Sequence, residues 1–195
     1  MDDTHVDEMH VGEGLKKYTY ADYAKFDDDK RYEIIDGVIY LMSPAPNFPH
    51  QSVSMELSFQ LSSFLRGKPC KVITAPYDVC LYAAGDNDRT VVQPDIMVIC
   101  DKRKIEYRRC NGAPDFVIEI QSPYTSSRDM IIKYNKYMSA GVREYWIVNP
   151  ESKVVHVCLL KDGEYELTDY YDGGTIPVHI LDGCEIDFER VFEDI

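Results

Sequence analysis

The chain has 195 residues, 45% of them hydrophobic, enough to bury the core of one ordinary globular domain. No apolar run reaches the roughly 20 residues of a membrane-spanning helix, and the acidic N-terminus lacks the basic-then-apolar order of a signal peptide. A net charge of −13 argues against broad, sequence-independent nucleic-acid binding and leaves room only for a local groove. The six cysteines are scattered with no Cys-x-x-Cys pair, so reduced thiols in a cytoplasmic protein are expected rather than disulfides or zinc ligands.

Residues 1–17 are polar, acidic and without periodicity, which predicts a disordered tail ahead of one domain over 18–195. His5 and His10 in that tail read as solvated. Thr19 is placed to cap a short helix, Tyr20–Phe26. Asp36-Gly37 is a favoured two-residue turn, so Arg31–Ile35 and Val38–Met42 are expected to form a hairpin. A Pro-rich connection, Ser43–Pro49, leads to a helix from His50 to about Arg66. Its Val53, Leu57 and Leu61 recur at helical spacing, and Gly67 is placed to end it.

Lys71–Ala75 and Val79–Tyr82 read as strands, with Ala83–Arg89 a polar loop. Ile96–Cys100 and Phe116–Ile120 read as buried strands, joined by a basic connection holding Lys102, Arg103, Lys104, Arg108 and Arg109. That cluster reads equally as a solvated loop or as a phosphate-facing patch. Ser126 or Ser127 is expected to cap a helix over Arg128–Ala140, which Gly141 terminates. Then come a strand at Glu144–Val148, a hairpin across Asp162-Gly163, a short strand at Thr175–Ile180 and a helical turn at Asp187–Phe192. This order predicts an α/β fold: a central mixed sheet flanked by two helices, with C-terminal hairpins added.

Two of these elements carry acids where buried strands should carry none. Asp95 stands at the entrance of one and Glu119 near the exit of the other. A buried carboxylate is costly unless a cation pairs with it. Alternation puts Val117, Glu119 and Gln121 on one face, so neighbouring strands would bring Asp95 and Glu119 together with Gln121 beside them. Such a hard oxygen site suits Mg²⁺ or Mn²⁺.

The pattern Pro94-Asp95 … Glu119-Ile120-Gln121 resembles the PD-(D/E)XK nuclease signature, with Gln121 in the lysine slot. Ser122-Pro123, Asp129, Lys133, Tyr134, Tyr137 and the run Ala140–Pro150 extend the likeness. With Tyr32–Gly37 and His50 upstream, the chain resembles the Uma family of restriction-endonuclease-like proteins from Tyr18 to Phe192. The resemblance implies a metal-dependent endonuclease acting on nucleic acid, DNA first among candidates. It implies Asp95, Glu119 and the Ile120 carbonyl as metal ligands, Glu33 as a third acid, and His50 near the scissile phosphate or a metal-bound water.

A lysine in the third slot would place positive charge beside the attacked phosphate, which Gln121 cannot do. Lys133 stands one helix later and either reaches back to fill that role or remains a surface lysine paired with Asp129. Tyr134, Tyr137, Tyr145 and Trp146 read as core rather than base-stacking residues. Two other classes compete: a catalytically inactive nuclease-fold module that binds nucleic acid or protein, and a structural or assembly protein. A homodimer would suit cleavage of two strands.

Overall fold

The computed structural model describes residues 16–42, 45–122 and 127–195, the first three of the last span as backbone only. Residues 1–15 of the expected tail, with its two histidines, and the Ser126 cap lie outside the described residues; Lys16, also expected in that tail, pairs with Asp22 at 2.8 Å. A six-stranded sheet has the order β11-β10-β9-β8-β6-β3, built from β3 (Lys71–Thr74), β6 (Ile96–Ile99), β8 (Phe116–Ile120), β9 (Glu144–Asn149), β10 (Val154–Lys161) and β11 (Glu164–Tyr170). Only β8 and β9 run parallel; the other pairs are antiparallel. This is the mixed sheet expected, with the hairpin β10–β11 as its added edge.

A second, five-stranded sheet was not anticipated as a unit. Its order is β2-β1-β5-β4-β7, from β1 (Tyr32–Ile35), β2 (Val38–Leu41), β4 (Asp78–Cys80), β5 (Val91–Val92) and β7 (Arg109–Asn111). The β1–β2 turn holds Asp36 and Gly37 at φ 54° and 80°, the left-handed pair that an Asp-Gly turn supplies. Strand β7 lies inside the connection expected to be loop. Only Cys110 of its three residues is buried, which is too little apolar signal to read. A two-stranded ribbon, β12 (Thr175–Pro177) with β13 (Glu185–Asp187), completes the strands.

Helix α1 is one turn, Tyr20–Tyr23, shorter than expected. Helix α2 (Phe48–Leu65) starts two residues before His50, because Asn47 is the cap: its side chain accepts the His50 N–H at 3.1 Å. Helix α3 is Ser127–Ala140 and α4 is Phe188–Val191.

The six-stranded sheet is covered on both faces, which is why its strands read as continuous apolar runs. Phe116, Ile118 and Ile120 face Val53, Leu57, Leu61 and Leu65 of α2, with Ile176, Phe188 and Phe192 alongside. Val117, Met97 and Ile99 face the other way, toward Tyr137 of α3 and Val79, Leu81 and Val92 of the second sheet. Tyr137, Tyr145 and Trp146 are fully buried, so these three aromatics are core.

One expectation fails outright. Cys70 and Cys100 form a disulfide, leaving Cys80, Cys110, Cys158 and Cys184 free and buried. The physical reason is register: Lys71 pairs with Ile99 across β3 and β6, so the residues one step outward face each other. A separation of 30 in sequence does not reveal that.

Candidate active site

Strands β6 and β8 are antiparallel neighbours, with Ile96 opposite Ile118. Continuing that register by one residue sets Asp95 opposite Glu119, the juxtaposition expected from the two acids. Asp95 Oδ2 accepts the Ile120 N–H at 2.8 Å, tying the strand ends together. His50 Nε2 lies 3.3 Å from the same oxygen. His50 is a buried neighbour of Asp95, and its Nδ1 is buried with no hydrogen-bond partner among the described residues.

Glu119 takes its partners from α3. Lys133 and Tyr137 are four apart, hence on one helix face, and that face lies on β8. The Tyr137 hydroxyl donates to Glu119 Oε1 at 2.7 Å, and Lys133 Nζ lies 3.3 Å from the same oxygen. Lys133 Nζ also lies 2.9 Å from Glu33 Oε2, so one ammonium bridges two acids. The alternative partner, Asp129, has its side chain outside the described residues.

Burial pushes the Glu119 carboxyl above the usual carboxylate range. Lys133 pulls it back, while Asp95 and Glu33 push it further up. Tyr137, with no access to water, is likewise held well above the ordinary tyrosine value.

Glu33 is delivered by β1 of the second sheet, which pairs with β5 just ahead of Asp95. Its Oε1 accepts the Gln93 N–H at 2.9 Å. Gln93 is a residue that sequence reasoning missed. Its amide oxygen accepts from Arg31 at 2.7 and 3.0 Å, and its nitrogen donates to Asp78 at 2.8 Å and Tyr23 at 3.1 Å. A buried polar side chain between Val92 and Pro94 was the available signal. A second clasp, Lys136 to Asp36 at 2.7 Å, also joins α3 to the β1–β2 hairpin.

Gln121 does not join the acids. It follows Glu119 on the same face, but its amide nitrogen contacts Met130 Sδ at 2.9 Å. The basic connection is also not a shared patch. Arg103 pairs with Asp101, Lys104 donates to the Ala113 carbonyl, and Arg109 pairs with Asp86 and Glu106 while stacking on Tyr20.

Among the described residues no three His, Cys, Asp or Glu side chains cluster tightly enough to hold a metal alone. The donor set nevertheless fits a hard cation. Among the described residues the contacts of Asp95 fall on Oδ2 and those of Glu119 on Oε1, which leaves Oδ1 and Oε2 as the oxygens that could face a cation. Mg²⁺ is commonly held by one or two carboxylates, with water and substrate oxygens completing the shell. No helix among the described residues is long and apolar enough to cross a membrane.

Among curated proteins none matches the chain. Among solved structures, a protein from Anabaena variabilis titled "putative nuclease belonging to DUF820" shares the fold. The TM-score is 0.70 over 90% of this chain and 98% of that one, at 22% identity. The sequence pattern of the Uma2 family, described as "Putative restriction endonuclease", matches residues 18–189, and the chain therefore belongs to that family.

Proposed function

We propose that the protein is a Mg²⁺- or Mn²⁺-dependent endonuclease that hydrolyses phosphodiester bonds, with DNA as its substrate. Family membership and the shared fold support a nuclease. The observation that carries the reading is Lys133, whose ammonium lies between Glu33 and Glu119 and supplies from α3 the charge that β8 lacks.

Asp95, Glu119 and the Ile120 carbonyl would hold the cation, with Glu33 as an outer ligand. When bound, the cation neutralises phosphate charge and makes a water acidic enough to attack. The chain's own residues prepare that event. The Ile120 N–H and His50 fix the orientation of Asp95, Tyr137 fixes Glu119, and Lys133 holds positive charge beside the phosphate site. Gln121 contributes at most a neutral hydrogen bond.

The test is cleavage of plasmid and linear DNA, and of RNA, across a Mn²⁺ titration. Lys133→Met should lower the rate about a hundredfold or more at saturating metal, since a charge is lost from a dry site. Gln121→Ala should cost roughly tenfold or less, as for one neutral hydrogen bond. A Lys133→Met enzyme that cuts like wild type removes that lysine from the mechanism.

One observation favours a second reading, a nuclease-fold module that binds nucleic acid or protein without cutting. Lys133 already satisfies both acids, and the slot on β8 holds glutamine. DNA binding with no Mn²⁺-dependent cleavage on any substrate would establish it.

A further inference from the structure

Helix α2 is apolar on two opposite sides. Val53, Leu57, Leu61 and Leu65 are buried against the six-stranded sheet. On the far side Phe48, Met55 and Phe59 are 67%, 72% and 59% exposed. At about 100° per residue these three fall within a strip about 40° wide, centred opposite Leu57. Ser52 and Ser62 complete a four-three-four-three spacing with them, the periodicity of a helix–helix seam in which small residues leave room for large ones.

The strip carries no charge. Apart from His50, which is buried against Asp95, Glu56 is the single acidic or basic residue in the 18 positions of α2, in a chain whose net charge is −13. Nucleic acid would find no cation there. The N-terminal residues 1–15 have apolar side chains to offer, but they carry Asp2, Asp3, Asp7, Glu8 and Glu13 and would meet no opposite charge. Two copies of so acidic a body can approach closely only through a neutral face, and this face is neutral along its length. Depletion of charge with aromatic and methionine side chains at the centre is also the composition of protein interface cores.

We propose that this strip is a homodimer interface, in which a second copy packs its own α2 antiparallel across it about a two-fold axis. The three side chains expose on the order of 400 Å² per copy. Two copies with their flanking residues therefore bury about 1,000 Å², at the lower end for specific contacts, which predicts reversible association. The inference is independent of the nuclease reading.

Sedimentation velocity on the full chain from about 5 to 500 μM tests it. Wild type should pass from monomer to dimer with a dissociation constant on the order of tens of micromolar, as suits so small an interface. The dimer should tighten several-fold between about 0.05 and 0.5 M salt, because screening removes like-charge repulsion and leaves apolar burial intact. Met55→Glu should stay monomeric throughout with an unchanged melting temperature, and the Met55 methyl resonance of wild type should shift with protein concentration. A wild type that stays monomeric overturns the proposal, as does a Met55→Glu protein that dimerises equally. A Met55 signal perturbed equally at every concentration would assign the strip to the chain's own N-terminal residues instead.

Discussion

At the scale of single residues, the charge balance of the site turns on Glu119. Burial and the two neighbouring acids work against its ionisation, while Lys133 and Tyr137 favour it. A divalent cation would tip that balance. Saturating Mn²⁺ should therefore raise the melting temperature of wild type by about 5–11 °C, the shift expected for a ligand near a hundred times its dissociation constant. Glu119→Ala should gain less than about 2 °C; equal gains, followed by differential scanning fluorimetry, would place the metal elsewhere. Asp95 and Glu119 were legible because acids beside apolar strands stand out, and a register argument needs only two strands. Lys133 was half legible, from its spacing to Tyr137. His50 as a support for Asp95, and Gln93 as the holder of Glu33, were not, since each depends on which elements pack together rather than on spacing within one.

At the scale of elements, β9 is fastened to the C-terminal segment by one buried acid. Glu144 is inaccessible to solvent; it accepts the Trp146 indole N–H at 2.8 Å and the Ile180 N–H at 3.0 Å. Burial pushes its carboxyl up to about 7 from an ordinary 4.5. The folded state thus binds the proton more tightly than the unfolded chain. This contribution to stability is full below about pH 4.5 and is lost as pH rises through 7, by ~3 kcal/mol at most. Urea midpoints of wild type should fall across that window, and those of Glu144→Gln should fall less; parallel slopes would assign the pH dependence to other groups. Residues 144–149 were readable as a strand, yet nothing in the sequence separated Glu144 from the acids of the candidate site. The long helices, the hairpins and the mixed sheet were legible because their periodicity and turns are local. Strand β7 and the Cys70–Cys100 disulfide were not, because each exists only through pairing with distant chain.

At the scale of the whole molecule, charge and architecture set the terms on which a polyanion could approach. The net charge is −13, and three of the five basic residues between β6 and β8 are spent on internal partners. A cation held at Asp95 and Glu119 would then be the main local source of attraction, so under the proposed function affinity for DNA and metal loading should rise together. Helix α3 has a further consequence. It lies on the six-stranded sheet, yet Lys133 and Lys136 grip Glu33 and Asp36 on the hairpin of the other. Lys133 is thus a fastener between the two sheets, and its loss should be felt in the opening of the hairpin as well as in any cleavage rate. In hydrogen exchange, Lys133→Met should free the amides of β1 by tenfold or more while those of β9 and β10 keep their wild-type protection. Equal acceleration everywhere would mean general destabilisation. If the selective pattern holds, whatever draws Lys133 away from Glu33 also loosens a hairpin on the neighbouring sheet, and a change at the site becomes readable from the breathing of a strand that carries only one of its acids.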